Sequence, residues 1–275
     1  MGYGDEIIGS GLARGAHARG KRIAFGDGRK IFWSHWAPTI YKNNPNVAPP
    51  GSEGAKDLEW ISHYKGARKY NKLVNGRWVW NYDFRVVPGE FFFTPEEKQI
   101  AETFTPGFVV VEPNVPWQKK VWPNKDWGEK KYIELTSRLR LQGYHVVQFL
   151  HSNSVRKLDC DVTMTLQSLR DVAAIMSRAA LYVGPEGGMH HAAAAVGTRA
   201  VVLFGGFIPP SVTGYDAHVN MTGNSKVACG NIEPCVHCRS AMESITVSDV
   251  ENAALDQLTR GATSEVRDGS TAKFN

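Results

Sequence analysis

Residues 179–204, AALYVGPEGGMHHAAAAVGTRAVVLF, decide the reading of the chain. Leu181, Tyr182 and Val183 form a short apolar run of strand type, Gly184-Pro185-Glu186-Gly187-Gly188 breaks it, and 189–196 resumes as a small-residue helix. After Gly197 and Thr198, a second apolar run at 200–204 closes a βαβ unit whose two strands lie parallel. Gly187 and Gly188 let a ligand approach bare backbone. A helix starting there turns unpaired N–H groups and the positive end of its dipole toward an anion. Phosphate or pyrophosphate suits that chemistry. Neither G-x-G-x-x-G nor G-K-[ST] is present, so this is neither a dinucleotide fingerprint nor a P-loop. Taken alone, the motif reads at least as well as a tight turn before an Ala-rich helix packed on a sheet.

The sequence around it is more specific. A strand is expected at 108–112, a loop at 113–127, a helix at 129–141 with Tyr132, Leu135 and Leu139 on one face, and a strand at 145–150 after Gly143. A helix at 166–178 then carries Leu166, Leu169, Val172, Ala173 and Met176 on one stripe. Strands alternating with helices in this way predict a doubly wound parallel sheet. Its ligands bind beyond the carboxyl ends of the strands, where the loops at 113–127, 151–154 and 184–191 converge. A strand at 218–221, a cysteine cluster, a helix at 250–258 opened by a Ser248/Glu251 capping box, and a frayed polar tail at 262–275 complete this half.

The first 105 residues read differently. Gly4-Asp5 precedes a helix expected at 6–18, and a strand follows at 22–25. Only three residues stand before Gly4, so the strand that normally precedes such a loop is missing or very short. Asp5 is then either the helix N-cap or a carboxylate facing a cleft. Short strands are expected at 30–33, 60–64 and 78–82, and a helix from Thr94 to about Thr103. Trp33, Trp36, Trp60, Trp78, Trp80 and the 91–93 phenylalanines, interleaved with Lys65, Arg68, Lys69, Lys72, Arg77 and Arg85, offer either ordinary aromatic packing or a stacking platform for a sugar or base. A domain boundary is expected at 105/106. The whole chain, 275 residues at 42% hydrophobic and 21% charged with net charge +5, suits a globular protein of two domains and a polyanionic or nucleotide-linked partner. No apolar run has the length of a membrane span and no signal-peptide pattern opens the chain, so a cytoplasmic location is expected.

In EPNVPWQKKVWPNKDW, Lys119 and Lys120 precede Trp122-Pro123, and Trp127 opens the next helix. This K-x-W-P segment with its amphipathic helix, followed by a βαβ unit carrying G-x-x-G-x-x-H, resembles glycosyltransferase family 9, the heptosyltransferase-like enzymes, over most of 108–258. The resemblance implies a GT-B fold of two Rossmann-like domains, the N-terminal one reduced here. The acceptor would lie on 1–105 and the nucleotide sugar on 106–275. It implies an inverting, metal-independent transfer from a nucleotide-diphosphate sugar to an acceptor hydroxyl, with no further cofactor. Asp5 matches the family's proposed base. Lys120 matches its sugar- or phosphate-contacting lysine, and Gly184, Glu186, Gly187, Gly188, Met189 and His190 match its diphosphate segment, with His191 left as an ordinary helix residue. Two departures stand out: Pro185 and Glu186 occupy the place of the family's Asp, and the first strand is absent. The acceptor is left open, as a saccharide or lipid-linked glycan or, on the basic aromatic segment, a modified nucleic acid such as DNA. A non-catalytic sugar-nucleotide binder is the remaining alternative.

Cys229, Cys235 and Cys238 stand as C-x5-C-x2-C, half of a zinc pattern, with His237 poorly placed to complete it. Free thiols and no metal are the expectation.

Overall fold

The computed structural model describes residues 2–64, 68–116, 118–166 and 168–269; Lys65 and the tail end at 270–275 lie outside them. In chain order the elements are α1 (Tyr3–His17), β1 (Arg22–Phe25), α2 (Ala37–Ile40), β2 (Leu58–Ile61), β3 (Asn71–Val74), β4 (Arg77–Trp80), α3 (Pro95–Glu102), β5 (Val109–Val111), α4 (Glu129–Leu141), β6 (Val146–Leu150) and β7 (Val162–Thr165). They continue as α5 (Leu169–Met176), β8 (Leu181–Pro185), α6 (Gly188–Ala195), β9 (Ala200–Leu203), α7 (Pro210–Thr213), β10 (His218–Met221), α8 (Val236–Ser244) and α9 (Val247–Gly269).

The second half is built on a parallel six-stranded sheet ordered β10-β9-β8-β5-β6-β7. From β5 the chain winds out to β7, then returns to the other side of β5 as β8. The order therefore reverses between β5 and β8, where Val109 pairs with Leu181 and Val111 with Val183. Alternation sorts the side chains into two layers. Val109, Val111, Leu181 and Val183 pack with Tyr132, Leu135 and Leu139 of α4 and with Val250 and Ala254 of α9. Val110 and Tyr182 face the other way, onto Val172, Ile175 and Met176 of α5. The α/β reading of this half therefore holds.

The first half carries the parallel pair β1-β2 and the antiparallel hairpin β3-β4. Its core does not close on itself: Ile7, Phe25 and Ile40 pack with Ala173 of α5 and Ala192 of α6. Several local expectations change. The segment at 30–33 reaches only one bridge, Gly26 with Ile31. β8 runs through Gly184 and Pro185, since both still pair with β9. The capping box of α9 is Thr246 with Asp249, while Glu251 is drawn off to Arg138 at 2.8 Å. Asp5 is not an N-cap; Gly2 holds that position and the Asp5 carboxylate reaches back to its N–H.

One buried ion pair joins the halves. Arg170, 2% exposed at the start of α5, donates through Nε and Nη2 to the Glu97 carboxylate of α3, both at 2.7 Å, and through Nη2 to the Phe92 carbonyl at 2.6 Å. Phe91 and Phe93, stacked at 5.5 Å, flank the guanidinium. Burial raises the Glu97 pKa, but the Arg170 hydrogen bonds outweigh it and hold the carboxyl below its ordinary range. Its stabilisation is thus present above the unfolded carboxylate value and lost as pH falls through the lower folded one. Glu97→Ala, which strands the guanidinium, is expected to destabilise the chain by about 3–5 kcal/mol in denaturant unfolding. A change under about 1 kcal/mol would refute the clamp.

Candidate functional site

A cavity of about 550 Å³ opens where the strand order reverses, beyond the carboxyl ends of β5, β6 and β8. Parallel sheets place their ligands there. Its walls are Glu112 and Asn114 after β5, Phe149 to His151 at the end of β6, Leu166, Leu169 and Val172 around α5, and 185–189 after β8, with Lys119, Gly2, Tyr3 and Trp36 closing the far side.

Two helix N-termini meet on this cavity. A Cβ on Gly4 would stand 2.9 Å from His191 Cδ2 and 3.4 Å from Gly188 Cα, so only glycine lets α1 come this close to α6. The first-turn N–H groups of a helix have no intrahelical partner and share its positive end. Gly187 has extended backbone, and a Cβ there would meet nothing within 4 Å. It borders open cavity, not packed protein.

Of the residues singled out in the sequence, Glu186, Gly187, Gly188 and Met189 line the cavity. Gly184 does not; it is glycine because a Cβ would collide with the Tyr182 hydroxyl. Lys120 points away, its side chain 74% exposed and paired with Glu233 at 2.7 Å. Lys119 faces the cavity instead, and a Cβ on Gly2 would lie 3.8 Å from its ammonium. Lys119 is itself exposed, at the cavity mouth, and partial desolvation there, with Lys125 nearby, draws its pKa below the ordinary lysine range. His190 is fully buried, its Nδ1 accepting from the Gly187 N–H at 3.0 Å and its Nε2 donating to the Thr213 carbonyl at 3.1 Å. Burial, seconded by His191, keeps it neutral, so it brings no positive charge to a diphosphate. Its neighbour is the more engaged residue. His191 bonds the Tyr215 hydroxyl at 2.8 Å and lies 3.6 Å from Glu186.

Glu186 is buried but ionised: burial alone would raise its pKa, yet the Lys125 ammonium bonded to it, with His191, drives it far below the usual range. The ligand atoms of Glu186, His190 and His191 lie close together. With Lys125 already neutralising the carboxylate and both His190 nitrogens bonded, this trio is poorly suited to a metal. Asp5 lies just behind the rim. Its Oδ2 accepts from Gly2 N–H at 2.6 Å, and its Oδ1 takes the Tyr70 hydroxyl and, at 3.2 Å, Arg68. Burial opposes ionisation, but Arg68 and these hydrogen bonds hold its pKa below the usual value. The aromatic segment is mostly packing: Trp80 stands edge-on to Phe207, Trp78 carries Arg68, and of its tryptophans Trp36 lines the cavity.

Residues 68–246 match the profile of glycosyltransferase family 9 (heptosyltransferase). The chain belongs to glycosyltransferase family 9. The matched stretch holds Lys119, Lys120 and 184–191 and leaves Asp5 outside. A family 9 glycosyl transferase from Veillonella parvula is similar in structure, at 12% identity over 94% of this chain and 95% of that one, with TM-score 0.65. ADP-heptose LPS heptosyltransferase II of E. coli is similar at 16% identity over 69% of this chain, with TM-score 0.47. This chain spans 56% of that enzyme's length. No curated protein sequence matches significantly. At these identities the likeness shows the fold, a GT-B-like α/β architecture.

Glu112 escaped the sequence reading, although it ends a buried strand at the switch point. Burial pushes its pKa up to about 7 against the lowering bond from the Asn114 N–H at 2.6 Å. A carboxyl raised on folding stabilises the protein fully below its unfolded value near 4.5, and that contribution is lost as pH rises through about 7. Glu112→Gln is expected to flatten the decline in stability over this window by roughly 1–3 kcal/mol. Parallel stability profiles for wild type and variant would refute the assignment.

Proposed function

We propose that this family 9 chain moves a sugar from a nucleotide-diphosphate donor to an acceptor hydroxyl, with the donor in the 550 Å³ cavity. The observation that carries this reading is the convergence of two helix N-termini and the Lys119 ammonium on one cavity wall. A diphosphate there meets the N–H groups of Gly188 and Met189 and one partly desolvated cation, while Phe149, Leu166, Leu169 and Val172 offer the base an apolar wall. The same groups stabilise the leaving diphosphate as the glycosidic bond breaks, so the proposed transfer is metal-independent. Residues 1–105 then serve as the acceptor side and 106–275 as the donor side, in a chain whose described helices include none long and apolar enough to cross a membrane.

Lys119, not Lys120, is the proposed donor lysine. In calorimetric titration with nucleoside diphosphates, Lys119→Ala is expected to weaken binding about 10-fold or more and Lys120→Ala to leave it unchanged. Gly187→Leu should preserve the melting temperature, since its Cβ enters open space, and abolish most of the affinity. Undiminished affinity in Lys119→Ala and Gly187→Leu would remove the donor from this wall.

Asp5 remains the proposed base for an inverting attack. To accept the acceptor's proton, its Oδ1 must shed Arg68 or Tyr70 on substrate binding. As a base, Asp5→Asn should lower kcat on the order of 10²–10⁴-fold with donor affinity unchanged. As an anchor for Arg68, the same change should lower the melting temperature and leave kcat within a few-fold. Near-normal turnover in Asp5→Asn would end its candidacy.

A further inference from the structure

Away from the cavity, the cysteine cluster gathers into a site of which the sequence spacing showed only half. Cys229 lies in the loop after β10, Cys235 caps α8, and His237 and Cys238 sit in its first turn. One sulfur or ring nitrogen from each of these four residues lies within 4.8 Å of all the others. Cys229 Sγ is 3.8 Å from Cys235 Sγ and 2.9 Å from Cys238 Sγ, and Cys238 Sγ is 3.9 Å from His237 Nδ1. Metal–sulfur bonds of about 2.3 Å and a metal–nitrogen bond of about 2.0 Å in a tetrahedron place ligand atoms roughly 3.5–3.8 Å apart. The cluster is close to that spacing, and none of the thiols is in a disulfide.

We propose that Cys229, Cys235, His237 and Cys238 form a closed Cys3His site for a structural zinc ion. The histidine is oriented for it. Ser225 Oγ donates to the Val227 carbonyl at 2.8 Å and lies 3.1 Å from His237 Nε2, so it accepts the Nε2 proton and leaves the Nδ1 lone pair on the sulfur side. A backbone N–H attends the sulfurs as well: that of Asn231 points at Cys229 Sγ at 3.4 Å. Three sulfurs this close cannot all ionise without a cation. Four protein ligands leave no open position, which is the structural and not the catalytic zinc pattern.

The site has something to hold. The loop between Cys229 and Cys235 captures Asn124 completely: Asn124 Nδ2 donates to the carbonyls of Asn231 and Glu233 at 2.9 and 2.8 Å, and Cys235 N–H donates to its Oδ1 at 2.7 Å. Asn124 immediately precedes Lys125, the partner of Glu186. Gly230 accepts from Trp78 N–H at 2.8 Å, tying the β3-β4 hairpin to the same knuckle. A metal here would pin two loops that the sheet itself does not hold.

The test needs no substrate. Protein purified without chelator is expected to contain about one zinc per chain by elemental analysis, and cobalt reconstitution to give the intense visible bands of a tetrahedral thiolate site. Cys235→Ser and the exposed His237→Ala should each lower zinc affinity more than 10-fold and alter the cobalt spectrum, whereas Cys160→Ser should do neither. Chelation should lower the melting temperature of wild type by several degrees and leave His237→Ala unmoved. Chains free of metal with four titratable thiols, a Cys229–Cys238 disulfide, stoichiometric iron in place of zinc, or a His237→Ala variant with wild-type zinc affinity would each overturn the proposal.

Discussion

The positive ends of α1 and α6 come together where Gly4 packs on Gly188, and like dipole ends in contact repel unless negative charge lies beside them. Asp5 in the first turn of α1, half-buried, and Glu186 just before α6, buried, supply it. A buried carboxylate in turn requires its own cation. Arg68 answers Asp5 from the start of the β3-β4 region, and Lys125 answers Glu186 from the loop before α4. This chain of compensation ties both loops to the junction, beside the packing of Tyr70 and Trp80 and the hydrogen bonds of Asn124. Gly4 is its geometric hinge, because any side chain there would push α1 off His191.

Glu112 and Glu186 follow adjacent strands and line the same cavity, yet they differ in charge. Glu186 has Lys125 and stays ionised; Glu112 has chiefly the Asn114 N–H and is held near neutrality. Environment separates two chemically similar groups in this way wherever one is paired and the other desolvated. The wall therefore holds a fixed negative charge balanced by Lys125, a protonatable carboxyl, and in Lys119 a cation without a hydrogen-bonded carboxylate among the described residues.

Three side-chain placements share a cause. Lys119 and Lys120 are adjacent and chemically equal, so spacing cannot choose between them; a short helical turn at Trp122–Asn124, fixed through Asn124 to a loop more than 100 residues away, turns one inward and leaves the other on Glu233. His190 and His191 differ in the same way. On a helix, neighbours point about 100° apart, and the fold alone decides that 190 meets backbone carbonyls while 191 meets Glu186 and Tyr215. His237 lies between two cysteines in sequence, yet the first turn of α8 brings its ring to their side.

The sequence by itself determined the alternating strands and helices of the second half, the βαβ unit and its phosphate-suited turn, because apolar periodicity and glycine placement are local properties of the chain. It also carried the family resemblance that the profile match bears out. Tertiary structure alone decided which lysine and which carboxyls face the cavity, that the two halves share a core through Ala173 and Ala192, and that three cysteines and a histidine converge. These depend on contacts between distant residues, where a rotation of one residue exchanges an inward side chain for an outward one, and no local pattern records that choice.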